Sequence, residues 1–147
     1  MLFVAREGIT IKKIIMVILL YANCAFAYAG QCYLNAISEP VMHLADYYHS
    51  FAATSFKVFC DQSYAIKFSS QNLRSSDGSS YVSNGTYRLK TRMNISGPVR
   101  NQWNVPLSQS GNSKDSKYVI AVRLEEQPSI RTPVGIYSDV IYVNLLF

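Results

Sequence analysis

Apolar residues along this chain recur at every second position far more often than at helical spacing. "FKVFC" places Phe56, Val58 and Cys60 on one side, and "YAIKF" places Tyr64, Ile66 and Phe68 opposite Lys67. "YRLKTRMNI" sets Tyr87, Leu89, Met93 and Ile95 against Arg88, Lys90, Arg92 and Asn94, and "KYVIAVRLE" lines up Tyr118, Ile120, Val122 and Leu124. Successive side chains of a strand point to opposite faces, so each stretch predicts a strand with one buried side. The final stretch predicts another, with Ile141, Val143, Leu145 and Phe147 in one row. Between them, "SSQNLRSSDGSS", "SNG", "SGPVRN" and "SQSGNSKDS" carry the Ser, Asn, Gly and Pro content of turns and surface loops. From Cys32 to Ser50 the pattern is weaker: a strand at "CYLNAI", a turn near Pro40, then another strand or a single helical turn. About six or seven short strands in one domain predict an all-β fold, an antiparallel β-sandwich.

The beginning of the chain follows a different pattern. Arg6, Lys12 and Lys13 precede the apolar run "IIMVILLYA", Ile14 to Ala22, and small residues follow at Ala25, Ala27 and Ala29. A charged stretch, a short apolar run and a small-x-small motif predict a cleavable secretory signal over residues 1–27, cut after Ala27 or Ala29. The run is shorter than the roughly 20 apolar residues that span a bilayer, so the mature chain 28–147 is expected to have no transmembrane segment. Removing the signal leaves about 120 residues and lowers the net charge from +5 to about +3. The remaining cations are dispersed, as at Arg88, Lys90 and Arg92, which suits a solvent face and not a nucleic-acid partner.

Of three cysteines, Cys24 falls within the signal; Cys32 and Cys60 are left, and in an exported chain they are expected to pair. No Cys-x-x-Cys spacing or adjacent histidine points to a reactive thiol. His43, Asp46 and His49 would share one side of a helix, yet no further ligand pattern accompanies them, and they are expected in or beside a loop with no metal. Glu125 and Glu126 are adjacent, so in a strand they point to opposite faces. The serines lack a G-x-S-x-G elbow and no phosphate-cradling glycine loop is present, so neither an enzyme nor a cofactor is expected. Asn84 and Asn94 match the glycosylation sequon, which matters only in a eukaryotic source. The 11 tyrosines are expected as half-buried packing residues of strands.

Val119 to Phe147, "VIAVRLEEQPSIRTPVGIYSDVIYVNLLF", resembles the close of spore coat protein U domains, the Csu-type pilin subunits of archaic chaperone–usher pili. In that family a hairpin leads to a Pro/Ala-Gly-x-Tyr-x-Asp turn and a last alternating strand ending in an aromatic residue. Pro133, Gly135, Tyr137, Asp139 and Phe147 are the matching residues here. More weakly, "SFKVFC" resembles the family's second-cysteine strand and "SNGTYRLKTRMN" its central one, and Cys32 and Cys60 take the places of the family disulfide.

The resemblance implies an immunoglobulin-like sandwich missing one strand. A groove would lie beside the final strand, with Ile141, Val143, Leu145 and Phe147 pointing into the core as chaperone-binding and strand-acceptor residues. The implied partners are a periplasmic chaperone, an outer-membrane usher and other pilus subunits. The implied role is a structural subunit of a surface fimbrium of a Gram-negative bacterium, serving adhesion and biofilm formation. Cleavage after Ala27 would leave only "YAGQ" before Cys32, too short for the donor segment of polymerising subunits. Either Cys32 to Leu44 is the donor, or the chain accepts a strand and donates none, as a minor or tip-like subunit would. The alternative without a missing strand is a self-contained secreted β-sandwich that binds a carbohydrate or a protein.

Overall fold

The computed structural model describes residues 30–111 and 114–147, and the predicted signal lies outside the described residues. Eight strands follow one another: β1 (Cys32–Asn35), β2 (Phe51–Cys60), β3 (Tyr64–Ser70), β4 (Ser79–Asn84), β5 (Tyr87–Ser96), β6 (Leu107–Gln109), β7 (Asp115–Leu124) and β8 (Ile141–Leu146). They form two antiparallel sheets, one of five strands in the order β1-β2-β7-β5-β4 and one of three in the order β6-β3-β8. The fold is therefore the all-β sandwich that the period-2 pattern predicts, and no helix forms among the described residues.

Alternation accounts for the packing. On β5 the buried residues are Leu89, Thr91, Met93 and Ile95, and on β7 they are Tyr118, Ile120, Val122 and Leu124. Tyr87, expected in the same row, is 55% exposed because it stands at the hairpin turn, beyond the cover of the opposite sheet. The centre of the sandwich is aromatic. Phe68 on β3 lies 6.0 Å from Tyr118 and 6.1 Å from Trp103, and Phe56 stacks on Tyr118 at 5.5 Å. Tyr64 and Tyr118 join their hydroxyls at 2.7 Å, a buried polar tie between the sheets that leaves neither oxygen unsatisfied. Gly78, at φ +89°, passes so close to the Met93 carbonyl and the Trp103 indole that a side chain would collide with both.

Cys32 and Cys60 face each other across β1 and β2 and are disulfide-bonded, with Cα atoms 4.3 Å apart. From Ala36 to His49 the chain forms neither of the elements proposed for it. It runs as an irregular strap, tied to β2 by Ser38 N–H donating to the Ser55 carbonyl and to β7 by His49 N–H donating to that of Leu124. Met42 and Leu44 pack against the core, whereas Val41, His43 and Ala45 face outward.

Candidate functional site

A sheet edge presents unpaired N–H and C=O groups, and proteins ordinarily shorten, cover or charge such edges. This fold has four. β1 is short and held by the disulfide, and β6 has only three residues. β4 is longer, but its outer side is occupied: the Arg74 N–H donates to the Ser79 carbonyl at 2.8 Å, and the Asn72 amide donates to the Tyr81 carbonyl at 3.1 Å. Ser83 and Ser138 exchange two backbone hydrogen bonds at 3.0 Å each.

β8 differs. It pairs with β3 over its whole length, Ile141 opposite Ser70 through Leu146 opposite Ala65, and no other backbone hydrogen bond among the described residues reaches it. Its inward row is incompletely covered as well. Ile141, Val143 and Leu145 pack against the core but are only half-buried, whereas Ile66, Phe68 and Ile120 are at most 2% exposed. Phe147, expected as the fourth member of the row, lies beyond β8 and is 68% exposed. On the outer face Tyr142 and Leu146 are 48% and 49% exposed. An edge with a partly open apolar row can accept an added strand: the backbone supplies the ladder and the alternate side chains supply pockets.

The turn residues that carry the family resemblance come together on the loop leading into β8. The Tyr137 hydroxyl donates to the Pro133 carbonyl at 2.9 Å and closes the loop on itself. Gly135 leaves room for the Asn84 amide, which a Cβ would strike. Asp139 is the hub, its carboxylate accepting from the Asn72 N–H at 3.1 Å, the Val140 N–H at 2.8 Å and the Ser80 hydroxyl at 3.0 Å. Three donors, two backbone and one side-chain, from three segments thus fix where β8 starts. The same loop exposes Ile130, Val134 and Ile136 almost completely.

The other candidate residues stay apart. His43, Asp46 and His49 are all exposed on the strap, His49 stacks on Tyr48 at 3.7 Å, and no group of three metal-ligating side chains forms among the described residues. Glu125 pairs with Arg123 at 2.6 Å, while Glu126 accepts from the Lys90 backbone N–H at 3.0 Å. A depression of about 430 Å³ at one end of β3, β6 and β8 is lined by Ser63, Tyr64, Ala65, Ser108, Gln109, Ser110 and Leu146, and it brings no carboxylate, histidine or lysine together. Asn72, which binds across to β4, was not legible as important, because a lone Asn in a Ser-rich loop carries no pattern. No helix among the described residues is long and apolar enough to cross a membrane. No protein-family model and no curated protein matches this chain.

Proposed function

We propose that this chain is a non-enzymatic structural subunit that accepts a β-strand from another protein along β8, as the spore coat protein U resemblance implies. The observation that carries the reading is the β8 edge, with a free backbone side and a half-buried row at Ile141, Val143 and Leu145. Completing the burial of such side chains is worth roughly 1.5–3 kcal/mol each at full exposure, and about half that from half-burial. The exposed Ile130, Val134 and Ile136 add apolar surface of the kind that partners cover. On this reading the chain is exported through the periplasm and assembled, as a minor or tip-like subunit, into a surface fibre by a chaperone and an usher.

A second reading, the self-contained sandwich, draws support from Met42 and Leu44, which close part of the core from within the chain. Expression with and without the adjacent genes' products, followed by sedimentation, separates the two. The strand-acceptor reading expects aggregation alone and a soluble complex with a co-purifying protein. It also expects Val143→Asp/Leu145→Asp to abolish that complex and the solvent-face Asn144→Asp to spare it. A stable soluble monomer with no partner would establish the self-contained sandwich instead.

A further inference from the structure

The sequence contains one Asn-Gly step, Asn84–Gly85, and the fold sets it at the tip of the β4–β5 hairpin. Asn84 stands opposite Tyr87, so Gly85 and Thr86 are the central residues of the turn, and Gly85, at φ +59°, takes the glycine-first place of a type II′ turn. Beyond its chain neighbours, no atom lies within 4 Å of where a Gly85 Cβ would stand. Among the described residues no hydrogen bond engages the Gly85 N–H or the Asn84 side chain. An amide carbon and the backbone nitrogen that follows it are therefore held as neighbours in one chain, open to water, with no side chain on Gly85 to bar their approach.

The equivalent acidic step, Asp77–Gly78, is closed. The Gly78 N–H donates to the Ser75 carbonyl at 3.2 Å, and Gly78 is pressed against the Met93 carbonyl and the Trp103 indole. The Asp77 carboxylate accepts from the Ser75 hydroxyl, from the Ser79 N–H at 3.0 Å and from the Arg92 guanidinium at 2.6 Å. After Asn72, Asn94 and Asn101 the next N–H is also held, by the Ser70 carbonyl, the Asn101 side chain and the Arg100 carbonyl in turn.

We infer that Asn84 is a site of self-modification, at which the chain converts this residue to isoaspartate and aspartate and so loosens the seal of the β4 edge. The Gly85 nitrogen, giving its proton to hydroxide, forms a bond to Asn84 Cγ. The bond from Cγ to the side-chain nitrogen breaks, and that nitrogen takes a proton from water and leaves as ammonia. Water then opens the cyclic imide at either carbonyl, to aspartate or to isoaspartate, and no oxidant or reductant takes part. In isoaspartate the main chain runs through the former side chain and is longer by a methylene. That methylene enters the ladder where Asn84 faces Tyr87, next to Ser83 and its two hydrogen bonds with Ser138. Either product also adds a negative charge on a residue whose side chain abuts Gly135, in the loop leading into β8. The inference does not depend on strand acceptance, since every reacting atom lies in the β4–β5 hairpin.

The test ages the full chain, carried with its solubilising partner where it needs one, in heavy-oxygen water at mildly alkaline pH, and follows oxygen uptake and isoaspartate by proteolysis and mass spectrometry. Heavy oxygen should enter at residue 84 at least about fivefold faster than at Asn94, which is followed by a β-branched residue instead of glycine. Isoaspartate should form at residue 84 and not at Asp77. Asn84→Gln, which would have to close a larger ring, should take up no heavy oxygen there. In the aged fraction that carries isoaspartate, amide exchange at Ser83 and Ser138 should be faster than in the fresh chain while Ile120 stays protected, and Asn84→Asp, which keeps the normal backbone, should match the fresh chain. Equal uptake at Asn84 and Asn94, or isoaspartate at Asp77 as fast as at residue 84, would overturn the site. Unchanged exchange at Ser83 and Ser138 in the isoaspartate fraction would overturn the loosening of the edge.

Discussion

Two long edge strands of this sandwich are treated in opposite ways. Along β4, Arg74, Asn72 and Ser138 occupy the outer backbone groups, and Asp139 binds the buried Ser80 beneath. Along β8, a strand of the same six-residue length, no other described residue forms a backbone hydrogen bond on the outer side. β4, "SSYVSN", is the more polar strand and β8, "IYVNLL", the more apolar, but side-chain polarity does not itself pair an outer backbone group. The difference lies in neighbours: the β3–β4 loop and the segment before β8 fold back over β4, and no described segment returns over β8. Sealing is thus a property of loops that carry amides and carboxylates to an edge, and an edge left without them is where an added strand gains most.

The largest effects should come from comparing an apolar row at the centre of the larger sheet with the row of the β8 edge. Ile120→Ala, in the closed row of β7, should lower stability by about 2–5 kcal/mol, whereas Leu145→Ala, in the half-open row of β8, should cost about 1 kcal/mol in the isolated chain. Urea denaturation of both variants measures the gap, and equal losses would mean that β8 is as closed as the centre. Cys60→Ser removes the clamp on β1 and releases a loop with a sequence separation of 28 residues. The expected loss is about 3 kcal/mol by chain entropy, read as a lower urea midpoint than that of the oxidised parent.

Most of this was written in the alternation. The rows of β2, β3, β5, β7 and β8 were legible because each pairs a large apolar residue with a polar or small one at the next position. β4 was not, since "SSYVSN" has no apolar row: its inward Ser80 is buried through hydrogen bonds to Ser70 and Asp139, and no periodicity records a partner distant in sequence. β6 is three residues long, too short for a pattern, and Trp103 reaches full burial from an irregular segment. The strap from Ala36 to His49 mixes a short alternation with residues at positive φ, Ala36 and His49, which stop it from joining a ladder. At the candidate edge the row Ile141, Val143 and Leu145 was legible, whereas the absence of cover over its backbone depends on where every loop goes.

A middle-sized effect tests the sealing itself. The Asn72 side chain donates to the Tyr81 carbonyl, to the Ser83 hydroxyl at 3.3 Å and to the Ser138 carbonyl at 3.4 Å, so one amide bridges β4 and the approach to β8. Asn72→Ala should cost about 1–3 kcal/mol by leaving half-buried acceptors unmet. It should also speed amide exchange at Ser83 and Ser138 while leaving Ile120 protected. Unchanged exchange at Ser138 would show that β4 is sealed by the backbone bridge alone.

The smallest effect at neutral pH concerns the tie between the two sheets, Tyr64 on β3 to Tyr118 on β7. Burial, reinforced by the hydrogen bond that the protonated Tyr118 hydroxyl makes to Tyr64, pushes the Tyr118 hydroxyl well above the usual tyrosine range. Below the unfolded value near 10, folded and unfolded chains both keep the proton, and the contribution to stability is complete. As pH rises through about 10 the unfolded chain loses that proton while the folded one retains it, so stability falls with pH from there upward. Replacing both residues, Tyr64→Phe/Tyr118→Phe, removes donor and acceptor together and should be nearly neutral at pH about 7. The double variant should then lose less stability than the parent between pH of about 9 and 11, a window set by the unfolded tyrosine value. Urea midpoints across that range decide it, because every other side chain is common to the two chains and drops out of the difference. Parallel decline of the two curves would mean that the hydroxyl pair does not hold the three-stranded sheet to its partner in alkali, and that the apolar contacts of Phe56, Phe68 and Trp103 suffice on the closed side of the sandwich.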